Sequence, residues 1–174
     1  TFGCQMNIAD SEAFSTAFEG AGYKPVEEQS DADIILVNTC TVRHHAEERA
    51  LSEVGFLKKW KSKDPKNRVL ILAGCVASRL GESLKMRFPQ VDLVIGAEEV
   101  EAFPEILKTG LLHQPIRGQS PKEGTVPFVK RITAFVPVMR GCNNFCSYCI
   151  VPYVRGREIS RPPAEIIKEI KQLA

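Results

Sequence analysis

No run of about eighteen apolar residues occurs in the sequence, so no segment reads as a membrane-spanning helix. Nor does it open on a charged-then-apolar stretch of the kind that directs secretion. Net charge is nearly absent: 23 Lys and Arg against 21 Asp and Glu leave +2, too little by itself to mark a nucleic-acid-binding surface. The densest group of cysteines has no fourth ligand beside it, because Ile150, Val151 and Pro152 follow and the nearest His is His113. That gap disfavours a zinc knuckle. Together these absences lead us to expect a cytoplasmic enzyme with no membrane partner.

With 174 residues, 44% of them apolar and 25% charged, the chain can bury one ordinary core and a little more. Six cysteines could form three disulfides in a secreted protein, but the chain is large for a disulfide scaffold and its start does not point to export. It begins without Met and stops at Ala174 within an amphipathic pattern of Ile166, Ile167, Ile170 and Leu173, so it is expected to be part of a longer protein. Basic excess gathers at the end: residues 136–174 carry 6 Lys and Arg against 3 Asp and Glu.

The stretch Arg140-Gly141-Cys142-Asn143-Asn144-Phe145-Cys146-Ser147-Tyr148-Cys149 sets three thiols at C-x3-C-x2-C spacing. Three thiolates can supply three corners of an iron-sulfur cubane and leave the fourth iron open for chemistry. Following the short apolar strand expected over Phe135 to Val138, this pattern resembles the signature of radical S-adenosylmethionine (SAM) enzymes. The longer run Gly141 to Arg161, with Gly3-Cys4-Gln5-Met6-Asn7 near the start, is similar to the methylthiotransferases. Within them it looks most like the branch that makes 2-methylthio-N6-isopentenyladenosine in tRNA.

The remaining pattern alternates apolar runs with helical periods. Asn7 to Ala21 reads as a helix capped by Asn7 or Asp10, with Ala13, Phe14, Ala17, Phe18 and Ala21 as its apolar stripe. Tyr23 to Val26 suggests a short strand. Ile34 to Val37, Val69 to Leu72 and Leu93 to Ile95 read as strands of a buried parallel sheet. Between and after them we expect helices over about Arg43 to Trp60, around Leu80 to Phe88, and from about Val100 to Lys108. The fold class is therefore α/β, a parallel-sheet amino-terminal domain of flavodoxin or Rossmann type, followed by the first βα unit of a truncated radical SAM barrel. The expected boundaries are 1–112 for the first domain, 113–133 for a linker and the start of the barrel, and 134–174 for the start of the radical SAM domain.

This layout places Cys4, Cys40 and Cys75 each just beyond the carboxyl end of a strand, the edge where open α/β sheets bind ligands. A single Cys there would be read as a small core residue. Three in the same position favour metal ligation, and Gly3 and Gly74 directly before two of them would let backbone approach a cluster closely.

The resemblance implies the same six residues as metal ligands: Cys142, Cys146 and Cys149 for a [4Fe-4S] cluster whose open iron binds SAM, and Cys4, Cys40 and Cys75 for a second [4Fe-4S] cluster. It implies reductive cleavage of SAM to a radical that abstracts hydrogen from carbon 2 of the adenine, and transfer of sulfur from the second cluster. It places Tyr148 near the adenine of SAM. The implied partners are the tRNA anticodon stem-loop and an electron donor such as flavodoxin or ferredoxin. Arg155, Arg157 and Arg161 are candidates for tRNA phosphate or the SAM carboxylate, against an ordinary surface role or pairing with Glu158. Asn38, Asn143 and Asn144 are either donors to cluster sulfides or turn formers. His44 and His45 are expected at a helix surface, and the lysines around Trp60 as a solvated helix end.

Other readings stay open. Inside the family these are methylthiolation of a ribosomal-protein aspartate or of threonylcarbamoyl-adenosine in tRNA. Outside it they are an iron-sulfur electron carrier, which would not cleave SAM, and a zinc-dependent nucleic-acid-binding module, which would be colourless.

Overall fold

The apolar runs become a parallel sheet in the computed structural model, which describes residues 1–108 and 133–173. Strands β1 (Ile34–Thr39), β2 (Val69–Gly74) and β3 (Leu93–Gly96) lie in the order β1-β2-β3. Phe2 adds an isolated parallel bridge to Thr39. The register is continuous across all four segments: Phe2 pairs with Thr39, Thr39 with Gly74 and Gly74 with Gly96. Every strand thus ends on one line.

Alternation along β2 divides the core in two, as the two-residue period of a strand requires. Leu70 and Leu72 join Val37 and the buried face of α2 (His44–Lys63), namely Ala50, Leu51, Val54, Leu57 and Trp60. Ile71 and Ala73 point the other way, to Phe14 of α1 (Gln5–Gly20) and Phe103 of α5 (Phe103–Lys108). The rings of Phe14 and Phe103 meet edge to face at 4.8 Å. Two short helices, α3 (Cys75–Leu80) and α4 (Ser83–Arg87), replace the single helix expected around Leu80 to Phe88. Gly81 at φ +52 separates them, and Met86 is exposed. The Lys61 ammonium bridges to Asp92 at 2.7 Å and the Arg68 guanidinium lies over the Trp60 ring. Part of that basic run is therefore spent inside the fold.

Three other expectations need correction. Tyr23 to Val26 forms no strand, and the chain instead reaches β1 through a single 3-10 turn at Gln29–Asp31. Helix α1 is capped by Cys4, whose backbone N–H donates to the Asn7 side chain at 3.2 Å, one half of a reciprocal cap. Its Ala13 is exposed, while Asn7 and Asp10 are fully buried.

After residue 132 the chain forms a small second unit. Phe135 to Val138 lacks strand pairing; the ladder comprises β4 (Met139–Arg140) antiparallel to β5 (Ile159–Ser160). Between them lie the cysteine loop and the short helix α6 (Val151–Val154), and α7 (Pro163–Leu173) follows. The first βα unit is thus a strand of two residues, because β5 is the partner that the closed loop brings alongside it. Apart from residue 133, the linker expected over 113–133 lies outside the described residues.

Candidate metal centre

All six cysteines are free thiols. Cys40 and Cys75 directly follow the paired residues Thr39 and Gly74, and Cys4 lies two residues beyond Phe2 in the same row. Parallel strands are about 4.8 Å apart, so the register delivers three thiols to one edge of the sheet. Cys40 and Cys75 are buried and Cys4 is half-buried.

Polar side chains hold this edge together. Asn7 donates to Asn38 Oδ1 at 3.1 Å and to the Thr39 carbonyl at 2.9 Å. Asn38 returns a hydrogen bond to the Asn7 carbonyl at 2.9 Å and another to Ser11. The Thr39 hydroxyl donates to the Ala73 carbonyl at 2.6 Å. Each buried group is satisfied, which rigidifies the strand ends carrying the thiols. Asn38 is consumed here, as a scaffold. Gly3 is required by space, since a side chain there would meet Asn7 Oδ1 and lie 2.7 Å from the Cys40 Cβ. Gly74 is required by conformation as well, at φ +95 against the Thr39 carbonyl.

The second set of thiols lies on a tighter loop. Gly141, at φ +71, packs directly on the Arg157 carbonyl, and the Cys142 N–H donates to the Gly156 carbonyl at 3.2 Å. Asn143 accepts from the Glu158 N–H at 3.2 Å, so it too closes the loop. Phe145 has φ +47, the sole non-glycine residue in the left-handed region among the described residues. Holding a bulky residue there costs about 1–3 kcal/mol. The Arg157 guanidinium 4.6 Å above its ring and the Tyr153 edge at 5.8 Å help to retain it. Tyr148 is 90% exposed on the outer side of this loop.

The two sets meet. Cys75 packs in one apolar cluster with Ala97, Val154 and Ile150, the residue after Cys149. Beside that contact, Asp10 of α1, with a fully buried side chain, receives two arginines from the second unit. Arg140 Nη1 is 2.5 Å from Oδ1 and Arg155 Nη2 is 2.9 Å from Oδ2. Arg140 precedes the cysteine loop and Arg155 follows it, so one carboxylate fixes both ends of the loop to the sheet domain.

Burial pushes the Cys75 thiol above its ordinary value, while the adjacent Arg155 charge opposes that rise and the neighbouring Cys40 and Cys4 sulfurs add to it. For Arg155, burial works against the charge, but Asp10 and then Cys75 outweigh it and the guanidinium is held above its usual value. Its charge opposes the rise at the thiol first and hydrogen bonding second, while its Nη1 is buried with no partner at normal hydrogen-bond geometry.

The arginines proposed for substrate are thus placed very differently. Arg155 is only 8% exposed and committed to Asp10. Arg161 donates to the Pro137 carbonyl at 2.8 Å and pairs with Glu169 at 2.5 Å. Arg157 is exposed, stacked on Phe145. The Glu158 pairing considered for them is not the arrangement found. His44 and His45 both approach Glu48 in the solvent-exposed first turn of α2.

Sulfur spacing bears on the metal. Among the described residues, the three candidate ligand atoms found within 4.8 Å of one another are those of His44, His45 and Glu48. Neither cysteine set is that tight. A tetrahedral zinc with Zn–S of about 2.3 Å needs its sulfurs about 3.8 Å apart, whereas a cubane spreads its ligands over separate irons. Three thiols at strand ends, glycines where a side chain would collide, and an unpartnered buried cation all fit an anionic cluster.

Asn7 and Asp10 are the site residues that sequence reading missed. They carried a signal: extending the stripe of α1 back from Phe14 by helical steps lands on Asp10, Asn7 and Cys4, a polar face where an apolar one was expected.

Residues 1–96 match the model of the uncharacterized protein family UPF0004, over half of the chain. The chain belongs to this family. Its residues 136–174 match the Radical SAM superfamily, which implies an iron-sulfur cluster and SAM. This UPF0004 chain is similar over its whole length to curated proteins named tRNA-2-methylthio-N(6)-dimethylallyladenosine synthase. The protein of Dictyoglomus thermophilum is 44% identical, with 100% of this chain and 41% of that protein aligned. That of Trichlorobacter lovleyi is 46% identical with the same shares. That of Syntrophus aciditrophicus is 39% identical, with 100% of this chain and 39% of that protein aligned. The chain spans about two fifths of the length of these relatives.

Proposed function

We propose that this chain is part of a radical SAM methylthiotransferase that adds a methylthio group to carbon 2 of N6-isopentenyladenosine next to the anticodon of tRNA. Residues 1–112 form its first domain, 113–133 the linker and 134–174 the start of the radical SAM domain. Cys142, Cys146 and Cys149 hold one [4Fe-4S] cluster, at which SAM binds, and Cys4, Cys40 and Cys75 hold a second. The single observation that carries this reading is the apolar cluster in which Cys75 is buried with Val154 and against which Ile150, next to Cys149, also packs, so that the cysteine loop adjoins the sheet edge bearing Cys75.

When bound, the clusters and SAM supply the one-electron and sulfur-transfer chemistry that an unactivated aromatic carbon demands and side chains cannot. The residues of the chain do the positioning. Asn7, Asn38 and Thr39 hold the strand ends at fixed spacing, and Asp10 locks the second cysteine loop against them through Arg140 and Arg155. Tyr148, exposed on this loop, packs on the adenine of SAM in this reading. Of the three arginines, Arg157 retains the exposure that contact with a tRNA phosphate needs. The target base must leave its stack to reach the seam. A flavodoxin or ferredoxin supplies electrons, and the enzyme works in the cytoplasm.

The test is iron and acid-labile sulfide per chain after anaerobic reconstitution, with and without Cys4→Ala/Cys40→Ala/Cys75→Ala. About eight irons falling to about four is the expected result. Unchanged iron would end the two-cluster reading. Iron without SAM cleavage in the enzyme including the remainder of its barrel would leave an electron carrier instead.

A further inference from the structure

Two buried side-chain donors lack a hydrogen-bond partner among the described residues: Trp60 Nε1 and Arg155 Nη1. The indole is neutral and sits in an apolar layer. Arg155 is different, because an unpaired donor on a buried full charge is far more costly. Nη2 is satisfied by Asp10, but Asp10 is shared with Arg140, so two guanidinium groups face one buried carboxylate. Glu101 reaches Arg140 Nε at 3.2 Å, yet its side chain is 69% exposed and its charge correspondingly screened. A positive excess therefore remains buried beside Cys75, at the edge where Cys4 and Cys40 also lie. A cubane held by three thiolates carries net negative charge, and its sulfurs accept hydrogen bonds.

We infer that Arg155 is a positioning and tuning residue for the cluster of Cys4, Cys40 and Cys75: its Nη1 donates to the Cys75 sulfur or an adjacent sulfide and favours the reduced cluster. Hydrogen bonds to cluster sulfurs and nearby charge are the levers by which proteins set such potentials. Arg155 belongs to the other half of the molecule, directly after α6. Docking of the radical SAM unit through Asp10 is therefore what brings this charge to the amino-terminal cluster. The inference rests on the two-cluster reading above.

The experiment uses the whole chain carrying Cys142→Ala/Cys146→Ala/Cys149→Ala, reconstituted anaerobically, so that one cluster is observed alone. Iron content is read first. No iron in this background would overturn the two-cluster reading and this inference with it. With about four irons present, an EPR-monitored redox titration compares the background with added Arg155→Gln and Arg155→Lys. The expected result is a reduction equilibrium at least tenfold less favourable in R155Q, about 59 mV lower for one electron. R155K, which keeps the charge, should recover more than half of that shift. An unchanged potential in R155Q with iron retained overturns the inference. In case R155Q fails to hold iron, the unsubstituted Arg155 is tested directly with guanidino-15N arginine. A 15N coupling to the reduced cluster, absent in R155K, supports the donor, and absence of coupling overturns it.

Discussion

Replacing Asp10 by Ala tests how the two halves are joined. The substitution removes the fully buried acceptor of both Arg140 and Arg155. Arg140 keeps Glu101 at 3.2 Å and some access to water, so its loss is small. Arg155 has neither and becomes an uncompensated buried charge, for which breaking a buried pair costs about 3–5 kcal/mol. The chain can avoid that cost without unfolding the sheet, by letting the unit of residues 139–173 swing away so that Arg155 reaches water. The penalty is then the docking free energy, and at about 1.4 kcal/mol per tenfold, 3 kcal/mol is a shift of about a hundredfold in the docked fraction. Hydrogen exchange on the intact chain reads this directly. In Asp10→Ala, amides around Cys142, Val154 and Arg155 should lose protection by roughly that factor, while those of Leu70 to Ala73 in β2 keep theirs. Adding Arg155→Met, which removes the stranded charge, should restore a large part of it. Equal loss of protection in both units, or none in either, would refute the latch, as would a double variant no better than the single one.

Three further outcomes follow from the same geometry. In the cluster-free chain, burial keeps Cys75 protonated above the ordinary value of 9.0 and Arg155 opposes this. Alkylation of Cys75 by iodoacetamide, followed by mass spectrometry, should thus have its midpoint above that value and higher still in Arg155→Gln. The linked stability has a definite sign: the folded thiol holds its proton longer than the unfolded one, so its contribution is complete below the unfolded pKa and is lost as pH rises through the folded one. Asn7→Ala leaves the Thr39 carbonyl and the Asn38 side-chain oxygen without their donor, about 2–4 kcal/mol for two buried groups, which urea denaturation of the cluster-free chain should show as a lowered midpoint. Gly74→Ala forces a left-handed backbone and a collision with the Thr39 carbonyl, and should cost at least about 2 kcal/mol by the same measurement. It should also reduce iron bound at Cys4, Cys40 and Cys75, measured with the other three cysteines replaced.

Much of the site was legible locally. Ile34 to Val37, Val69 to Leu72 and Leu93 to Ile95 read as strands at that length and spacing, and helices between them force parallel pairing, although only central β2 is nearly fully buried while Ile34 to Leu36 and Leu93 to Val94 stay half-buried at the flanks. From that, the sequence by itself determines that Cys4, Cys40 and Cys75 fall at one edge of the sheet, because strand direction and residue count are local properties. The spacing of Cys142, Cys146 and Cys149 is local in the same way. Tertiary structure decided the rest. Asp10 looked like a helix cap until its partners arrived from residues 140 and 155, far along the chain and across a seam that no local pattern encodes. Arg155, Arg157 and Arg161 share one residue type and nearly one stretch, yet one is buried against a carboxylate, one is stacked on a ring and one is tied to α7. Charge type is written in the sequence; whether the charge meets water, an acid or a thiol is settled by what folds against it.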